Sequence, residues 1–108
     1  MKKGKQIAQL IINKQSYSIR STEHSELRMK QRNVDVYVVS STILALGKER
    51  LLKYKESKKD IAIIDKENGI AVIAGFHKNT IYIITVIDKD DIWVKNDTSI
   101  VNIFKGEK

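Results

Sequence analysis

Residues 34–47 read VDVYVVSSTILALG, and whether they form a strand or a helix decides what fold the chain can have. The β-branched content favours a strand locally. The length favours a helix. So do Asp35 as a cap, Val36, Val39, Ile43 and Leu46 at helical spacing, and Gly47 as a stop. The spacing therefore predicts a helix.

Immediately upstream, residues 22–33 read TEHSELRMKQRN. Ser21 or Thr22 can cap a helix start, and Glu23 and Glu26 suit the positive end of its dipole. Asn33 tolerates the left-handed conformation that closes a helix. The inner stripe counted from His24 is unusual: His24, Leu27, Arg28, Gln31 and Arg32, where a structural helix would carry aliphatic side chains. Spacing of four sets His24, Arg28 and Arg32 on one side, about 6 Å apart per turn. Two arginines this close repel one another, and an anion between them would relieve it. Guanidinium groups suit phosphate because they donate in a planar fork and stay charged. Histidine can move a proton near neutral pH. The competing reading pairs the arginines with Glu23, Glu26, Asp65 or Asp88 and leaves His24 as an ordinary side chain.

Working outward, QIAQLII and SYSI flank NKQ and fit a strand or hairpin, or a short helix for the first of them. Downstream of about residue 50 the period changes to two. ERLLKYKE fits a strand. DIAIID and IAVIAGF are strands joined by KENG, with Asn68-Gly69 as the hairpin turn. After the turn HKN comes TIYIITVID. Strict alternation puts Ile81, Ile83, Thr85 and Ile87 on one face and Tyr82, Ile84 and Val86 on the other. Both faces are apolar, which predicts a central strand covered on each side. IWV and SIVNIF are candidate edge strands. The order predicts one α+β domain over residues 1–108: two N-terminal helices packed on one face of an antiparallel β-sheet meander, with the other face left for a ligand or partner.

Composition narrows the function classes. The chain has 108 residues, 42% of them hydrophobic, and neither cysteine nor proline. Two distant histidines and no cysteine make no familiar metal-ligand set, so neither metal nor cofactor is expected. No apolar run approaches the roughly 20 residues of a membrane span. The opening MKKGKQIAQLIINKQ is too short and polar in its apolar part for a secretory signal, which predicts a cytoplasmic protein. The net charge is +7 and uneven: residues 1–60 hold 14 Lys/Arg against 6 Asp/Glu. A basic half points to a polyanion, while lysines scattered over a surface would bind nothing in particular. Lys53, Lys55, Lys58 and Lys59 form the densest lysine run, and Lys30 adds a cation to the helix of residues 22–33. His77 is predicted at a hairpin tip. Tyr37, Tyr54, Tyr82 and Trp93 could stack on bases, but their spacing forms no platform.

The series YSI, TEHSELRMKQRN, VDVYVVSSTILAL, DIAIIDKENGIAVIAGF and TIYIITVID, over residues 17–88, resembles a small bacterial and mobile-element domain family with an H-x-x-x-R-x-x-x-R helix. That family is similar to the RelE-like and BrnT-like toxins. The resemblance implies an RNA-binding or metal-independent, RNA-cleaving domain, in which a ribose 2′-oxygen attacks the neighbouring phosphorus. It implies His24 as base or acid, Arg28 and Arg32 as charge stabilisers, and Thr85 at the family's "TV" position. RNA is the implied partner, beside a cognate antitoxin or host protein and a possible second copy of the chain. The alternative is a non-catalytic phage or mobile-element protein that grips a host protein or nucleic acid. The chain departs from RelE-like toxins at its C-terminus. There Asp88, Asp90 and Asp91 cluster where further basic or aromatic site residues would be expected.

Overall fold

The computed structural model describes residues 4–57, 59–89, 92 and 98–103. In chain order these form β1 (Gln6–Ile12), β2 (Gln15–Arg20), α1 (Glu23–Gln31), α2 (Val36–Leu44), α3 (Lys48–Ser57), β3 (Ile61–Asp65), β4 (Ile70–His77), β5 (Thr80–Ile87) and β6 (Ser99–Ile103). Among the described residues no helix is long and apolar enough to cross a membrane.

Local chemistry sets the helix boundaries. Thr22 caps α1: its hydroxyl accepts from Ser25 N at 3.1 Å, while its own N–H donates to Ser25 Oγ at 2.8 Å. This is a reciprocal capping box with serine in the usual glutamate place. Asn33, at φ 56°, closes the helix. Val34 N reaches Met29 O at 2.9 Å and Asn33 N reaches Lys30 O at 3.3 Å, the paired bonds of a Schellman closure. Asp35 then caps α2 by accepting from Tyr37 N at 2.8 Å. Gly47, at φ 84°, ends the α2 region in a conformation that a Cβ would strain.

The segment that fits a strand at ERLLKYKE is instead the helix α3. Lys, Glu, Arg and Leu are good helix formers, and the helical turn buries Leu51 while leaving Lys53 outside. Arg50 Nε also donates to Leu46 O at 2.8 Å, satisfying a carbonyl at the end of the preceding helical segment.

The sheet corrects the expected two-helix, antiparallel-meander layout. Its order is β1-β2-β5-β4-β3-β6, and it is mixed: β2 pairs β5 in parallel, and β3 pairs β6 in parallel. The reason lies in the connections. A meander needs hairpins throughout, but the link from β2 to β3 carries all three helices, long enough for a parallel crossover. The N-terminal hairpin, turned at Asn13 and Lys14 (φ 51° and 69°), thus joins the sheet as its first two strands. The fold is mixed α/β, with three helices and six strands among the described residues.

One face of the sheet makes the main core. Ile19, Ile61, Ile63, Val72, Ile81, Ile83, Val86 and Val101 meet Val39, Ile43 and Leu46 of the α2 region and Leu51 of α3. Asp65 is buried at the end of β3. It accepts from Thr42 Oγ1 at 2.7 Å and from Asn68 Nδ2 at 2.8 Å, tying α2 to the β3–β4 turn. The opposite face, left for a ligand or partner by the sequence reading, is partly covered. Ala62, Ile64 and Ala71 are buried there, and Tyr82, Ile84, Thr85 and Ile87 are half-buried.

Strict alternation fails in β5. The register passes from Ala74↔Ile83 to Ile73↔Thr85, so Ile84 is an extra residue. The bulge restarts the alternation. Val86 therefore joins Ile81 and Ile83 in the core, and Thr85 turns to the face that Tyr82 occupies.

Candidate functional site

The position of α1 follows from the shortness of β2. Only Ser18, Ile19 and Arg20 pair with β5, opposite Thr80, Ile81 and Tyr82. Beyond Tyr82 no strand among the described residues pairs with that side of β5, and α1 packs along it. Thr22 Oγ1 donates to Ile83 O at 2.9 Å, and Arg32 Nη1 donates to Val86 O at 2.5 Å. Backbone carbonyls that a neighbouring strand would satisfy are satisfied by side chains at the two ends of the helix.

This places the inner side of α1 on Thr22, Ser25 and Met29, which are buried, with Arg32 beside them. The stripe expected to face inward is therefore split. His24, Leu27 and Gln31 are exposed, and Arg28 is half-buried. Arg28 joins the outer group: its Nε donates to His24 Nε2 at 3.4 Å and its Nη1 to Gln31 Oε1 at 3.0 Å. Nε2 of His24 can accept only if the ring proton sits on Nδ1. Arg32 leaves the group. Besides its bond to Val86 O, its Nε lies 4.0 Å from Asp88 Oδ1. The acid-pairing alternative thus holds for Arg32 and not for Arg28.

His24, Arg28 and Arg32 do not converge on one pocket. A hollow of about 370 Å³ takes Arg32 and Asp88 together with Asp35 and Asn68. A larger groove of about 520 Å³ lies on the other flank of α1, lined by Ile7, Glu26, Leu27, Met29 and Val34. His24 and Arg28 line neither. Thr85 is half-buried beside Val86, on the opposite face of β5 from it, and opposite Ile73 in register.

The lysines are also dispersed. Lys30 is exposed on α1 and lines the larger groove together with Glu23 and Glu26. Lys53 is exposed, with Nζ 5.6 Å from the Tyr54 ring centre. Lys55 is half-buried and anchored: Nζ donates to Tyr17 OH at 3.2 Å and to Asn79 Oδ1 at 3.3 Å. Lys59 is exposed, and Lys58 lies outside the described residues, as do Asp90, Asp91 and Trp93. Asn79 adjoins the start of β5 and Val86 lies near its end, some 20 Å away at strand rise. Lys55 and the α1 row therefore form two regions. The sequence places Gln31 on the His24 stripe without a role; in the structure it accepts from Arg28 and orients it. The stretch from His77 to Asn79 reads as a turn, with His77 as a second proton-transfer candidate, and nothing in it signals that Lys55, from a helix 20-odd residues upstream, is its neighbour.

No family model, curated protein or solved structure matches the chain.

Proposed function

We propose that the chain binds single-stranded RNA through the outer side of α1, with Arg28 as the principal phosphate ligand. The observation that carries this reading is the contrast with Arg32. Among the described residues Arg28 bonds to His24 and Gln31 and has no carboxylate partner, whereas Arg32 lies near Asp88. A guanidinium offers five N–H donors, and two bonds leave the charge and the remaining donors for a phosphate oxygen. Gln31 and His24 hold the fork in place, and the surplus of basic residues over 1–60 attracts the chain of phosphates.

The test is fluorescence anisotropy with a short single-stranded RNA. Affinity should fall steeply between low and moderate salt. Arg28→Gln should weaken it about tenfold, and Arg32→Gln much less. Equal losses in the two variants, or binding indifferent to salt, overturn the assignment.

A second reading, a metal-independent endoribonuclease of toxin type, is favoured by one contact: a proton-transfer group, His24, touches a charge stabiliser, Arg28. In that reaction the 2′-oxygen attacks phosphorus, its proton passes to a base, and the 5′-oxygen leaves with a proton from an acid. Arg32 takes no part while it is bonded to Val86 O. RNA cut in EDTA with cyclic phosphate ends, and no cutting by a folded His24→Ala, would establish it. Salt-sensitive binding with intact RNA leaves a non-catalytic binding protein.

A further inference from the structure

At the end of the sheet away from Arg32, a second hollow of about 450 Å³ is lined by Lys55, Phe76, His77 and Lys78. We propose that it is a binding site for a nucleoside monophosphate unit, with the phosphate on Lys55 and Lys78 and the base against Phe76. The proposal does not rest on the α1 reading, since it uses none of the same residues.

Lys55 is built into this site. Its stem is half-buried and its ammonium sits 4.9 Å from the Tyr17 ring centre, held by Tyr17 OH and Asn79 Oδ1. Both oxygens are neutral, so the charge is positioned without being cancelled. An ammonium has three donors, and two are spent on these bonds. Lys78 lines the same hollow from a turn tied to three strands. His77 pairs Thr80 across the turn, and Ser18 N of β2 donates to Asn79 O at 3.0 Å. Lys78 itself has φ 54°, and its side chain is exposed. Phe76 packs partly on the core and is half-buried, so part of its ring remains available to the hollow. His77 adds a hydrogen-bonding edge. None of the four lining residues is acidic. One anchored cation, a second carried on a held turn and a partly open aromatic ring fit a ligand with one anionic group and one flat ring better than either alone. The volume lies within the range of small-ligand sites.

The source of the nucleotide unit is either a free mononucleotide or the end of an RNA chain, and the two share this chemistry. The probes are AMP, adenosine, inorganic phosphate, and a five-nucleotide RNA with either a 5′-phosphate or a 5′-hydroxyl. Titrations are followed by amide NMR shifts of Phe76–Asn79. AMP should bind about tenfold tighter than adenosine or phosphate, since only it engages both the ring and the cations. Lys55→Met, which keeps the stem, and Lys78→Asn, which suits the positive φ, should each weaken AMP several-fold. Phe76→Leu should reduce AMP to the level of phosphate. Equal binding of AMP and the phosphorylated RNA assigns a mononucleotide site. Tight binding of the 5′-phosphorylated RNA alone assigns an RNA-end site, and both outcomes support the proposal. No shift at Phe76–Asn79 with any phosphorylated probe overturns it. So do shifts that persist in a Lys55→Met/Lys78→Asn double variant whose circular dichroism shows an intact fold.

Discussion

The two sides of α1 carry similar-looking residues with different fates. The inner side is fastened to β5 by Thr22 at one end and Arg32 at the other, with buried Met29 between them. The outer side holds His24, Arg28 and Gln31, which among the described residues are hydrogen-bonded to one another through Arg28. Arg28 and Arg32 are one turn apart, yet one is a fastening and the other is available. What separates them is the strand beneath. β2 stops at Arg20, β5 runs on to Ile87, and its unpaired carbonyls recruit whichever donor the helix swings toward them.

The sharpest way to break this contrast is to truncate one side chain on each side. Met29→Ala should cost about 3 kcal/mol, because it opens a cavity at a buried position. Leu27→Ala, at a position 51% exposed, should change stability by no more than about 0.5 kcal/mol. Urea unfolding of both variants measures the difference. Equal losses would mean that the two faces are not inner and outer, and a larger loss in Leu27→Ala that they are assigned the wrong way round.

Next in size is the cap. Thr22→Val keeps the shape but removes the hydroxyl that accepts from Ser25 N and donates to Ile83 O. The expected loss is about 2 kcal/mol, combining a cap with a buried acceptor left unsatisfied. His24→Ala, two residues on, should be neutral for stability and should weaken RNA binding.

Much of α1 and α2 was legible because caps and closures act locally. Thr22, Asn33, Asp35 and Gly47 each do their work within a few residues, and a reader of the chain can see both partners. The contact of His24 with Arg28 was legible for the same reason. What was not legible depends on partners far along the chain. The extra residue Ile84 obeys the β4 register, and nothing in TIYIITVID marks it, so alternation puts Thr85 on one face with Ile81, Ile83 and Ile87. The parallel pairings of β2 with β5 and of β3 with β6 join segments separated by whole elements. Arg32 separates from Arg28 only because β2 is three pairings long where it meets β5. The α3 region misled through two neighbouring leucines: a strand and a helix both bury one of them, and helix propensity decided which.

The arginines themselves supply a finer pair. Arg32→Met should cost about 1 kcal/mol by releasing Val86 O, and Arg28→Met close to nothing. RNA affinity should show the reverse order.

The smallest effect tests what holds Arg32. The Asp88 side chain is 55% exposed and 4.0 Å from Arg32 Nε, so solvent screens the pair and its contribution should be about 0.3 kcal/mol. Asp88→Asn should lose no more than that, and the loss should vanish in 1 M salt, where the Debye length is about 3 Å. A larger loss that survives high salt would mean that the carboxylate, and not the carbonyl of Val86, selects the inner arginine. The split between the two sides of α1 would then originate in the charge at the end of β5, and Asp88→Asn would turn Arg32 outward to join Arg28. That would appear as a gain in RNA affinity with a steeper salt slope, since one more cation would then face the phosphates. If the carbonyl selects it, Asp88→Asn leaves the salt slope unchanged, because Arg32 stays where the open edge of β5 put it.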